Sequence, residues 1–266
     1  EIGKKICDDL VVEASGKLLF PGFIENHIHA GANVSLSDSK EAVEKICRVL
    51  PQYGITSFTP TPIASTIEES VKAIRNIRAA KGCLGSDMLG IYLYSPYKNR
   101  SITYYDPPVI PTVEHTLELV DHDLSDIFSI LVAPELDKDH KWIDYMIAHG
   151  VLPVIGFSEG TYKDIHEAVT HGATLTDHFY NGFPPLDHHY DNATCACLLE
   201  EKLNFQMIFD GIHVAVPYIK LAIKMKGIDH ILPVSDVSKF VGMPDGEYDM
   251  DGKRVFLKNG AVRNID

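Results

Sequence analysis

The sequence predicts an α/β fold, a (β/α)8 TIM-type barrel, and three observations carry that prediction. Apolar runs ending in small or polar residues recur eight times, stretches with helical spacing and charged faces lie between them, and several of those stretches end in Gly, where a helix C-terminus uses one. An open doubly wound sheet is the rival architecture, but the first run lacks the GxGxxG turn that such a sheet carries. The chain of 266 residues is 45% hydrophobic, which suits one barrel of this kind with a substantial core.

The first run, LLFPGFIENHIHA, is followed by the helical stretch SKEAVEKICRVLPQYG, and the second, ITSFTPTP, by TIEESVKAIRNIRAAKG. LGIYLYSP and FSILVAPEL form the third and fourth, the latter leading into KDHKWIDYMIAHG. VLPVIGFSE precedes YKDIHEAVTHGA, TLTDHFYNG is the sixth run, FQMIFDGIHV precedes VPYIKLAIKMKG, and HILPVSDV closes the series. SFTPTP and FPP read as rigid turns without chemistry. The ends depart from the alternation. Residues 1–20 and 242–266 are short, Gly- and Asp-punctuated and β-like, so a small β domain assembled from both termini is expected to flank a barrel spanning 21–241.

Composition narrows the function. Lys and Arg number 24 against 37 Asp and Glu, a formal net charge of −13 with no basic run, so the footprint of a nucleic-acid binder is missing. Five scattered cysteines (Cys7, Cys47, Cys83, Cys195 and Cys197) without CxxC spacing read as a reduced, cytoplasmic protein. No apolar run is long enough to span a bilayer, so no membrane partner is expected. The chain starts at Glu1 in strand-like sequence, which reads as an excerpt of something longer.

In a barrel the chemistry sits where strands end. His27 and His29 end the first run, two residues apart and therefore on one face of a strand. His178 ends the sixth, His213 the seventh and Asp236 the eighth. Paired imidazoles with a distant His and Asp are ligands suited to a divalent metal such as zinc. His166, His171, His188 and His189 read as loop or helix surface positions.

Taken in order, these motifs resemble the N-acetylglucosamine-6-phosphate deacetylases of the amidohydrolase superfamily. PGFIENHIHAG is similar to that family's first-strand segment, GITSFTPTPIAST to its second, and APE (Ala133, Pro134, Glu135) to its fourth. DHFYNGF resembles its HLYNAM motif, DGIHV its DGxHV motif and SDV its TDA motif. The resemblance implies a metal-dependent amide hydrolase of amino-sugar catabolism in which Asp236 moves protons between water and the leaving amine, with His178 polarising the carbonyl or ligating. It implies His27, His29, His178 and Asp236 as metal ligands, Asn181, Gly182 and His213 as sugar and phosphate contacts, and a homodimer.

The departures matter as much. YLYSPY stands where the family reads HLEGPF, placing Tyr94 at a metal-binding Glu, and GFSEGT places Phe157 at a metal-binding His. A family His falls near Thr103, and His189 stands where the family has an Arg for phosphate. Tyrosine is a poor replacement for a carboxylate and phenylalanine cannot coordinate, so the expectation is at most one ion, zinc, or none. Three functions follow: a deacetylase of an N-acetyl amino-sugar phosphate, a catalytically impaired homologue that binds a sugar phosphate or serves in assembly, and an amidohydrolase of other amide specificity.

Overall fold

The computed structural model describes residues 12–64, 66–99, 108–250 and 253–264; Cys7, Thr103 and most of the N-terminal β segment lie outside them. Eight parallel strands follow in order: β1 (Phe23–Ile28), β2 (Ile55–Pro60), β3 (Ile91–Leu93), β4 (Ile127–Val132), β5 (Leu152–Ile155), β6 (Leu175–Thr176), β7 (Asn204–Ile208) and β8 (Ile231–Val234). Each falls inside one of the eight apolar runs to within one residue.

Helices fill the intervals: α1 (Lys40–Val49), α2 (Ile67–Ala80), α3 (Val113–Leu119), α4 (Lys141–Ala148), α5 (Tyr162–Thr170), α6 (Ala193–Leu199) and α7 (Val216–Lys226). Local chemistry starts and stops them. The side chains of Ser39, Thr66, Thr112 and Asn192 each accept a hydrogen bond from a first-turn N–H, and Thr161 and Asp164 form a capping box. Beyond α1 a short 3-10 turn (Leu50–Tyr53) ends at Gly54, whose φ of 78° is left-handed.

The strands make two curled arcs rather than one continuous ladder. In the first, β1 pairs with β2, and β2 pairs with a two-residue strand, Asp87–Met88; in the second, β3 to β8 pair consecutively. The expected closed ladder is therefore corrected to a curled α/β sheet with two seams. At one, Ile28 bridges Val237; at the other, Ile63 bridges Tyr94. The physical cause lies in the third run. Leu89 and Gly90 at its start part it from Asp87–Met88, so that the segment before the run joins β2 and the run itself joins β4; Gly90 lies so close to Phe128 that an added Cβ would sit 3.0 Å from the Phe128 Cβ.

Alternation divides the core. Ile130 and Val132 of β4 and Ile155 of β5 pack in the main cluster that includes Trp142, Ile143 and Met146 of α4, whereas Leu131, Val154, Tyr92, Phe157 and Leu175 form a separate cluster. Near the C-terminus, β9 (Gly246–Met250), β10 (Lys253–Lys258) and β11 (Ala261–Asn264) form an antiparallel meander over Phe240, Val255 and Leu257. Residues 12–20 form no strand, and no described helix is long and apolar enough to cross a membrane.

Candidate metal centre

Because the eight strands run parallel, the residues at their C-terminal ends share one end of the sheet. His27 and His29 come from β1 and the residue just after it, and their rings meet edge to face with Nε2 atoms 3.1 Å apart. Asp236, just beyond β8, brings Oδ1 to 3.5 Å from His27 Nε2 and 3.2 Å from His29 Nε2. These three donor atoms lie within 4.8 Å of one another, and two imidazole nitrogens with a carboxylate oxygen are a donor set that suits zinc. His178 stands on the far side of the carboxylate, with Nδ1 3.4 Å from Asp236 Oδ2.

The residues behind this group fix it. His29 Nδ1 lies 2.7 Å from the carbonyl oxygen of Thr61, so it donates there and leaves Nε2 facing the cluster. His27 Nδ1 faces two acceptors, Gln206 Oε1 at 3.2 Å and Asp177 Oδ1 at 3.1 Å. Glu25, buried on β1, accepts from the backbone N–H groups of His27 and Ser235 and from the Ser235 hydroxyl, tying the approach to Asp236 down to β1. Asp236 itself sits at φ 48° and Phe157 at φ 51°, a left-handed conformation that costs roughly 1–3 kcal/mol in a residue with a side chain and that concentrates at functional sites.

Electrostatics follow from burial. The His27 imidazole is fully buried, which pushes its pKa down, but the charges of Asp177 and Asp236 outweigh this and raise it to about 9. Burial would raise Asp177 and Asp236; the facing histidines reverse that, holding Asp177 at about 2 and Asp236 well below the usual carboxylate range. Burial also raises Glu25, against its hydrogen bonds from Ser235 and His27.

Tyr94 and Phe157 occupy the other side of the group. Tyr94 packs edge-on against His27 and His29, and Phe157 against Tyr94 and His178, with centroids 5.0–5.8 Å apart. Lys98, only 8% exposed, lays its ammonium 3.7 Å from the Tyr94 ring centroid and 4.7 Å from that of Phe157. Burial depresses its pKa to about 8, with the charge of Asp177 opposing the fall.

The remaining sequence-derived positions are more scattered. Asn181 donates its N–H to the His178 carbonyl, and Gly182 lies where a Cβ would touch the His178 ring at 3.5 Å and the Phe157 backbone N at 3.4 Å. His213 is exposed and paired with Asp210 Oδ2 at 2.6 Å; His189 is exposed, its ring tilted against that of His188, and paired with Asp187. Among the described residues, neither is joined by a hydrogen bond, ion pair or ring contact to His27, His29 or Asp236. Sequence reasoning passed over Asp177, Gln206, Tyr92, Glu25 and Lys98. The available signal was an acidic residue directly before His178 in TDH, and a Glu two residues before His27 in ENH.

A parallel α/β sheet brings two His and an Asp together at its C-terminal edge, a donor set that could hold a metal ion, and the comparisons say what the chain is similar to. No family model matches the chain. It is similar to the N-acetylglucosamine-6-phosphate deacetylase of Lysinibacillus sphaericus, 29% identical over 94% of this chain and 66% of that relative, and to the N-acetylgalactosamine-6-phosphate deacetylase of Escherichia coli O157:H7, 28% identical over 95% and 68%. The chain thus spans about two thirds of the length of the curated relatives it matches. In fold it resembles the crystal structure of N-acetylglucosamine-6-phosphate deacetylase from Pasteurella multocida, with a TM-score of 0.81 and 23% identity over 92% of this chain and 65% of that one.

Proposed function

We propose that the protein is a one-metal deacetylase acting on an N-acetyl amino-sugar phosphate, with His27, His29 and Asp236 holding a single zinc ion. The observation that carries this reading is the convergence of His27 Nε2, His29 Nε2 and Asp236 Oδ1, supported by the names of the relatives. The buried nitrogens of His178 lack an aligned hydrogen bond among the described residues, as expected of a group that awaits a ligand. A divalent ion there supplies Lewis acidity, polarising a carbonyl and making a water acidic.

The chain's own groups do the rest. Asp236 turns Oδ1 to His27 and His29 and Oδ2 to His178, so one oxygen ligates while the other takes a proton from water. The same oxygen returns that proton to the departing amine, and His178 faces the acetyl carbonyl. Asn181, the Gly182 backbone, His189 and His213 are assigned to the sugar and phosphate. An imidazole at His189 offers fewer donors than a guanidinium, so phosphate binding is weak. The reading includes a small β domain built from the termini, and a homodimer in the cytoplasm.

The experiment is metal analysis joined to single-turnover deacetylation of N-acetylglucosamine 6-phosphate and its galactosamine epimer, with and without zinc. The expected outcome is slow, zinc-dependent release of acetate, lowered at least about 100-fold by Asp236→Asn, whose amide cannot accept the proton. Fast turnover without metal that ignores Asp236→Asn contradicts the mechanism. A second reading, a homologue that binds a sugar phosphate without hydrolysing it, is favoured by the packing of Tyr94, Phe157 and Lys98 beside the site. It predicts ligand binding with no turnover.

A further inference from the structure

We infer that Asp177 is a positioning residue of this centre: it orients His27 toward the metal locus from behind. The inference rests on the metal reading above. Asp177 is completely buried, with Oδ1 3.1 Å from His27 Nδ1 and Oδ2 3.2 Å from His178 Nε2, so one carboxylate spans both imidazoles from the side away from Asp236. A carboxylate only accepts hydrogen bonds, which obliges His27 Nδ1 to carry hydrogen and directs the Nε2 lone pair at His29 and Asp236. Gln206, the other neighbour of that nitrogen, enforces nothing alone, since a turned amide would present a donor.

The pocket is built around this carboxylate. The Tyr92 hydroxyl donates to Asp177 Oδ1 at 2.8 Å. Gly156, at the end of β5, leaves the necessary space, for a Cβ added there would lie 2.6 Å from the Asp177 Cβ and 3.3 Å from Oδ2. Tyr92 and Gly156 thus seat a carboxylate that lies beside both imidazoles.

The test measures zinc affinity by competition with a chromogenic chelator, and the visible spectrum of the cobalt-loaded protein, for the parent, Asp177→Asn, Tyr92→Phe, Gln206→Leu and His29→Ala. Asp177→Asn should weaken zinc about 10- to 100-fold and alter the cobalt spectrum, which a loss of stability alone would not do. Tyr92→Phe should shift affinity in the same direction by less. If the parent and Asp177→Asn share one affinity and one spectrum while His29→Ala loses the ion, the inference falls and the metal reading stands. Should Gln206→Leu alone weaken binding, the orienting group is Gln206 and the inference is likewise overturned. A parent that holds no zinc removes both. If Asp177→Asn does not fold, Tyr92→Phe decides: unchanged affinity and spectrum refute the role.

Discussion

Where the family resemblance implies that Tyr94 and Phe157 stand in for two ligands, Lys98 also places a charge in the space beside them. An ammonium resting on two aromatic faces gains from their quadrupoles, about 0.5–2 kcal/mol, and its presence repels a second cation from the same volume. Tyr94→Glu with Phe157→His should therefore raise zinc-dependent turnover only modestly, since the new carboxylate pairs with Lys98. Adding Lys98→Met should raise the bound zinc from one ion toward two. Metal content by mass spectrometry and single-turnover rates check this, and an unchanged stoichiometry in the triple variant contradicts it. Phe157 is held at φ 51°, a conformation that histidine adopts more readily than phenylalanine, so Phe157→His adds no backbone strain.

At the scale of the element, the helix starts are the cheapest features to test. Thr66 accepts the Glu69 N–H at 3.1 Å, and Thr66→Ala should lower stability by about 1 kcal/mol, read as a shift of the urea midpoint at constant slope. Such caps and the glycines after the helices are local devices, which is why the alternation was legible in the sequence. So was the HxH pair, since a two-residue period in a strand fixes the shared face of His27 and His29. The break at Leu89 and Gly90, just where the third run begins, was not legible, because it arises where Phe128 of another strand crowds the chain. Asp177 was missed for a related reason: its place before His178 was the one local signal, and its partners Tyr92, His27 and Gly156 lie far away in sequence.

Over the whole molecule, the buried charges make the metal-free protein sensitive to pH on both sides. His27 titrates near 9 in the folded state against an ordinary 6.5, so its contribution is complete below about pH 6.5 and lost as pH rises through 9. Asp177, at about 2 against 3.8, contributes above about pH 4 and loses that contribution as pH falls toward 2. Thermal midpoints of the metal-free protein should thus be highest between about pH 4 and 6.5. Zinc requires a neutral His27, so saturating zinc should extend stability to higher pH. A metal-free midpoint that climbs steadily from pH 6.5 to 9 is incompatible with this assignment.

The seam at Ile28 and Val237 gives the metal centre a mechanical meaning. There the first and last strands meet through the Val237 carbonyl, which receives the N–H groups of both His29 and Ala30 at 3.2 Å, and through Glu25 and Ser235, 210 residues apart in sequence. His27 and His29 stand on one bank of that seam and Asp236 on the other. An ion held by all three, as proposed, would work as a clasp, fastening the two ends of the sheet and helping to close one of the chain's longest loops. Backbone amides of His29 and Ala30 should then exchange with solvent deuterium markedly faster after chelation, while those in the middle of the longer arc, such as Leu131 and Val154, keep their protection. A sheet that must be clasped from outside its own hydrogen bonds can also be unclasped, so loss of zinc would part the first strand from the last before any helix melts.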